Sequence, residues 1–178
     1  ALPIYHLKED ARASKEFDAF VTAHAKDPFN EWAWAYLGDS QRHLQKYNDA
    51  IRSLNKSLDL FPKGRMADEA RFGLAESNLA LKKTDEALKI YRQLANNETS
   101  GRAASAQLQI GNILFGKGAY RDAATEYLLI EKKFSKSGYA AVASLNAGFS
   151  YYQLGDYGKA LAQFDKAEAE PSQAITSA

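Results

Sequence analysis

Apolar residues in this chain recur three and four positions apart, the spacing that gathers side chains onto one face of a helix, and they come in paired bursts. One pair is Trp34, Leu37 and Gly38, followed by Ala50, Ile51, Leu54, Ser57 and Leu58, with a break near Gln45 and Lys46. Further breaks fall at Lys82 to Thr84, Gly116 to Gly118 and Gly155 to Asp156, the last two with a glycine suited to closing a helix through a left-handed residue. The pattern predicts a helix, a turn and a second helix, repeated along the chain.

Sliding the sequence against itself gives the period. The strings KYNDAI, KTDEAL, AYRDAA and DYGKAL place a small residue at Ala50, Ala87, Ala123 and Ala160, with steps of 37, 36 and 37. A second small series, Gly38, Ala75, Gly111 and Gly148, precedes the first by 12 residues every time. Two small-residue series with one period predict antiparallel helix pairs that cross closely, because interaxial distance follows the side chains at the contact.

These residues resemble the tetratricopeptide repeat. Counting Glu31 as repeat position 1, Trp34, Leu37, Gly38, Tyr47, Ala50, Leu54, Ser57 and Pro62 fall on the family's signature positions 4, 7, 8, 17, 20, 24, 27 and 32, while Gln41 departs at position 11. The second unit keeps Leu74, Ala75, Ala87 and Tyr91 but has Arg71 and Asn78 where apolar residues are expected. The third keeps Ile110, Gly111, Leu114, Tyr120, Ala123, Tyr127 and Ile130; the fourth keeps Gly148, Tyr151, Tyr157, Ala160, Phe164 and Ala167. Upstream, residues 16–28 resemble a second helix ending at Pro28, with Phe17, Phe20 and Ala23 beginning the stack. The implied fold is all-α, a right-handed superhelical solenoid of antiparallel helix pairs in one domain. Its parts are an N-terminal helix or partial repeat at 1–29, repeats at 30–64, 65–100, 101–137 and 138–171, and a tail at 172–178. The two or three residues beyond the family's usual length precede each first helix, in GRMADEA, SGRAAS and SGYAAV, and are expected to lengthen that helix by nearly a turn. Repeats of this length are similar to those of bacterial cell-envelope proteins, which points localisation toward the periplasm or envelope rather than the cytoplasm.

In the family the first helices line a concave surface, with positions 2, 5, 9 and 12 inward. Carried onto this sequence, that rule gives a peptide-binding groove of Trp32, Asp39, Arg42, Phe72, Glu76, Leu79, Leu108, Asn112, Phe115, Leu145, Phe149 and Tyr152, with Ala35, Glu69, Ser105 and Val142 at the remaining inward positions. The resemblance implies a non-enzymatic scaffold for a protein or peptide partner. The alternative is a self-association module, a homo-oligomer or a packing face for the rest of a longer chain, because a terminal repeat exposes its stacking face. Some members grip a C-terminal carboxylate with Lys, Asn and Arg. Asn112 and Asn146 suit such a clamp, but Leu108 stands where it needs Lys, so chaperone-tail binding is not expected.

Composition narrows the function. The chain has 178 residues, with 31 Ala against 11 Gly and 4 Pro, a mix favouring helix. Its 23 Lys and Arg nearly balance 22 Asp and Glu, so no bulk positive field exists to hold nucleic acid. With no Cys there is no disulfide, thiol nucleophile or Cys-bound zinc. No run of 18 apolar residues inserts into a membrane, and the opening ALPIYHLKED lacks the pattern of a signal peptide. The string GNILFGKG from Gly111 to Gly118 matches the start of a phosphate-binding loop, but Gly118 replaces the Ser or Thr that would reach magnesium, and the string ends a helix rather than opening one. His6, His24 and His43 lack metal-binding spacing, and the carboxylates form no recognisable acid and base pair. Neither catalysis nor a cofactor is expected.

Overall fold

A computed structural model describes residues 2–169 and contains nine helices and no strand among them. They are α1 (Leu2–Ala23), α2 (Asn30–His43), α3 (Tyr47–Leu60), α4 (Ala67–Ala80), α5 (Thr84–Asn96), α6 (Ala103–Gly116), α7 (Tyr120–Lys133), α8 (Ala140–Gln153) and α9 (Tyr157–Ala169). The tail expected at 172–178 lies outside the described residues. Helix contacts divide the chain into a first unit, Ala1–Ile90, and a second, Tyr91–Ala178, with the division inside α5.

Each helix pair turns through three residues, and the middle one is left-handed: Gln45, Lys82, Gly118 and Gly155 have φ of 60°, 61°, 76° and 75°. That conformation lets the amides of the two residues after the first helix bond back to its last carbonyls. Lys46 N–H reaches Gln41 O at 2.8 Å and Gln45 N–H reaches Arg42 O at 2.9 Å; Lys83, Ala119 and Asp156 make the same long-reach bond to Asn78, Leu114 and Tyr151. Glycine supplies the conformation at two turns without steric cost, while Gln and Lys hold it at the others.

The links from one pair to the next are six residues long and built alike. Gly64 N–H bonds Phe61 O and Ala67 N–H bonds Gly64 O; Ser100 and Ala103 repeat this pair with Asn97 and Ser100, as do Ser137 and Ala140 with Phe134 and Ser137. Here the structure corrects two expectations. The extra residues of each repeat lie in these links, because two successive turns consume them, and α4, α6 and α8 have 14 residues just as α2 has. The N-terminal helix is a 22-residue helix that ends at Ala23, before Pro28, as the chain reverses through His24 to Asp27.

In the first unit, Phe17, Phe20 and Val21 of α1 pack on Ala33, Trp34 and Leu37 of α2. Ala50 and Leu54 of α3 pack on Ala70 and Leu74 of α4, flanked by Ile51, Leu58 and Ile90. Leu54 is 2% exposed, and burying such a side chain stabilises by about 1.5 to 3 kcal/mol. A methyl added at Gly38 would lie 2.5 Å from Leu54 Cγ, which is why a small residue stands there. Glu31 of α2 ties this pair to the next by accepting the Met66 N–H at 3.1 Å, just ahead of α4.

In the second unit, Leu108 of α6, Ala123, Tyr127 and Ile130 of α7, and Ala143 and Ala147 of α8 form one core. Methyls at Gly111 and Gly148 would strike the rings of Tyr127 and Phe164. Polar ties run outside that core: Gln107 bonds Glu126 across α6 and α7, and Ser144 donates to Glu131 Oε1 at 2.6 Å across α7 and α8.

Candidate interaction surface

In the first unit the exposed aromatic side chains at this surface lie on α2. Trp32 is 36% exposed and Tyr36 41%, and with Asp39 and His43 they follow steps of 4, 3 and 4 along one helix face. Their rings stack, with centroids 6.3 Å apart, and Phe17 of α1 stacks on Tyr36 at 5.6 Å. Asp39 accepts from Arg42 at 2.6 Å, Arg42 also reaches Glu76 of α4 at 3.3 Å, and Asp10 of α1 reaches His43 at 3.3 Å. Asp39, Arg42 and Glu76 thus come together, with Trp32 on the same helix as Asp39 and Arg42, whereas Tyr36 and His43 were not among the groove positions. The signal for them was available, since 32, 36, 39 and 43 trace a helix face as well as 32, 35, 39 and 42 do.

Ala35 is 3% exposed and Phe72 8%, so neither contributes open surface, and Leu79 is half-buried. A cavity of about 700 Å3 between α1 and α3 shares no lining residue with the α2 face; Lys15, Asp18, Trp34, Lys46 and Lys56 line it together with the Arg52–Asp49 ion pair.

In the second unit, Leu108 is 9% exposed because Ala143 and Ala147 of α8 pack over it, which corrects the expectation that it lines an open apolar groove. Leu145, at the same repeat position on α8, is 41% exposed, and Val142, Phe149 and Tyr152 are 44%, 47% and 54% exposed. Position 5 is therefore covered by α8 at Leu108 and open at Leu145 in the last described pair. Phe149 packs edge-on against Phe164, and Tyr152 against Tyr157, at 5.2 and 5.5 Å.

Asn112 and Asn146 meet above Tyr127. The Tyr127 hydroxyl donates to Asn112 Oδ1 at 2.8 Å, and Asn146 Nδ2 donates to the same oxygen at 3.3 Å. Burial pushes the Tyr127 phenol up to about 12, against a smaller opposing effect of the neighbouring Asn146 amide. These three residues with Phe115, Gly116 and Phe149 line a cavity of about 460 Å3. It has aromatic walls and an amide floor, a combination that seats an apolar side chain and fixes its polar neighbour.

The string from Gly111 to Gly118 forms the C-terminal half of α6 and its cap. Backbone amides needed for a phosphate would have to come from a helix start. Among the described residues, no group of three or more His, Asp and Glu is placed to hold a metal ion, and no helix is long and apolar enough to cross a membrane.

Comparison with known proteins places this geometry. The tetratricopeptide repeat family profile matches residues 37–103 and 108–175. No individual curated protein sequence matches significantly. Among solved structures, the crystal structure of MamA is 24% identical, with a TM-score of 0.69 over 87% of this chain and 84% of that one. The putative kinesin light chain repeats of Podosopora anserina give 14% identity and a TM-score of 0.71 over 94% and 90%. The apo form of the quorum sensor NprR from B. thuringiensis gives 20% identity and a TM-score of 0.75 over 92% of this chain, which spans 48% of NprR. With most of its length matched by the family profile, the chain belongs to the tetratricopeptide repeat family, whose fold generally mediates protein–protein interaction and scaffolding.

Proposed function

We propose that this chain is a non-enzymatic scaffold that holds another polypeptide on the inner faces of its first helices. The observation that carries the reading is the set of aromatic side chains left open on those faces, Trp32 and Tyr36 on α2 and Phe149 and Tyr152 on α8. Aromatic rings give large contact area at low conformational cost, which is why they anchor interfaces. Selection from a displayed peptide library on the immobilised chain tests it. Enriched peptides should shift amide resonances of α2 or of α6 and α8, and Trp32→Ala or Phe149→Ala should weaken the peptides of the corresponding unit by about tenfold or more. Peptides that bind only through α3 or α9 would refute it.

The self-association reading draws on the second unit alone, where Val142, Leu145, Phe149, Tyr152 and Leu161 leave apolar surface open on its last helix pair. A dimer that grows with concentration and disappears in Phe149→Glu with Tyr152→Glu would favour it; a persistent monomer would exclude it. We place the protein in a bacterial envelope on repeat length alone, and fractionation of the native host tests that placement.

A further inference from the structure

We propose that the cavity between α1 and α3 is a second binding site, one that takes an acidic polypeptide segment carrying Asp or Glu side chains. It shares no lining residue with the α2 inner face, so the inference goes beyond the scaffold reading and stands or falls separately from it. Helices α1 and α3 both pack on α2 and leave a trough of about 700 Å3 between them. Its walls are Lys15 and Asp18 on α1 and Asp49, Arg52 and Lys56 on α3, each set spaced by 3 or 4 along one helix face. With Lys46, at the turn into α3, four cations line the trough against two carboxylates. Asp49 is already engaged, since Arg52 reaches it at 2.5 Å. Among the described residues the three lysines are in no ion pair, and Asp18 is the one opposing charge left to them. No histidine lines the trough, so the positive surplus holds throughout the neutral pH range.

Gln41, the polar residue at repeat position 11, adds to the donors. Its carboxamide oxygen accepts from the Ser53 hydroxyl at 2.8 Å, which leaves its NH2 to donate into the trough it lines. The spacing of the cations selects a chain over a small anion. Lys46, Arg52 and Lys56 are strung along ten residues, about 15 Å of helix rise. An extended segment covers that distance in about five residues and turns alternate side chains the same way, so carboxylates at every second position meet successive cations. A lone phosphate has no such reach. Trp34 and Leu44, also lining the trough, give the segment apolar contact between its charges. Charge complementarity of this kind selects the sign of the partner and speeds encounter.

The experiment is an NMR titration of the whole chain, following its two tryptophan indole N–H signals, assigned with Trp34→Phe. Trp34 lines the trough and Trp32 stands exposed on the α2 inner face, so the pair reports which site is engaged. An acetylated and amidated peptide of about twelve residues alternating Glu and Thr should move the Trp34 signal saturably. The matching Lys and Thr peptide should leave it unmoved. Binding of the Glu peptide should weaken about fivefold in the double variant Lys15→Gln with Lys56→Gln, and tighten about twofold in Asp18→Asn. It should also weaken on raising salt from about 0.05 to 0.3 M. The inference is overturned if the Lys peptide moves Trp34 as strongly, if the Glu peptide leaves Trp34 in place, or if the charge variants bind as the parent does. Inorganic phosphate that moves Trp34 as far at the same concentration would also overturn it, reassigning the trough to a small anion. None of these results touches the inner faces, so the scaffold reading is judged separately, by the peptides that engage Trp32 or Phe149.

Discussion

Gln45 and Lys82 occupy the left-handed position that Gly118 and Gly155 fill at the other turns, with φ near 60° in a region L side chains rarely adopt. Both side chains are exposed, so a replacement there changes backbone strain and little else. Gln45→Gly and Lys82→Gly are each expected to raise the unfolding free energy by about 0.5 to 1 kcal/mol, measured by urea denaturation. Tyr127 gives a pH prediction. Its folded pKa lies near 12 and its unfolded value near 10, so the folded state keeps a proton that the unfolded chain has lost. The stability this contributes is present below pH 10 and falls away between about 10 and 12, by at most about 3 kcal/mol in all. Melts across that range should show a shallower decline for Tyr127→Phe than for the parent.

Paired helices depend on small residues at their crossings. Ala123 is fully buried, and an indole there has to displace Tyr127 or Ile130 of the same core. Ala123→Trp and Gly111→Ala are expected to destabilise by about 1 to 3 kcal/mol, read from the thermal midpoint. The four helix pairs were legible in the sequence because two spaced series, at Gly38 and at Ala50 and their equivalents, mark both sides of each crossing. Less legible was the length of α1, since a helix outside the repeat has no second copy to compare with. The placement of the extra residues was hidden too: Ala and Met in GRMADEA have ordinary helix propensity, and the paired turns at Gly64 depend on backbone hydrogen bonds that composition does not encode. The open face was half legible. Trp32 and Phe149 were identified from their register, but Leu108 and Leu145 hold the same repeat position and differ only in whether another helix packs over them.

For the molecule as a whole, stability in a repeat array is a sum over neighbours, so elements with fewer buried contacts open first. Within the second unit, α7 buries Ala123, Ala124, Tyr127 and Ile130 while α9 buries Ala160 alone among its described side chains. Hydrogen exchange is expected to protect α7 amides at least tenfold better than those of α9, and equal protection would contradict that ordering. Each reversal between paired helices takes three residues with a left-handed centre, and each link to the next pair takes six with the same two bonds. An in-frame excision or duplication of one 36- or 37-residue span would therefore join like ends to like ends. Genes for such chains can gain or lose whole bricks by unequal exchange and still encode foldable products, so copy number is the cheapest trait for evolution to alter.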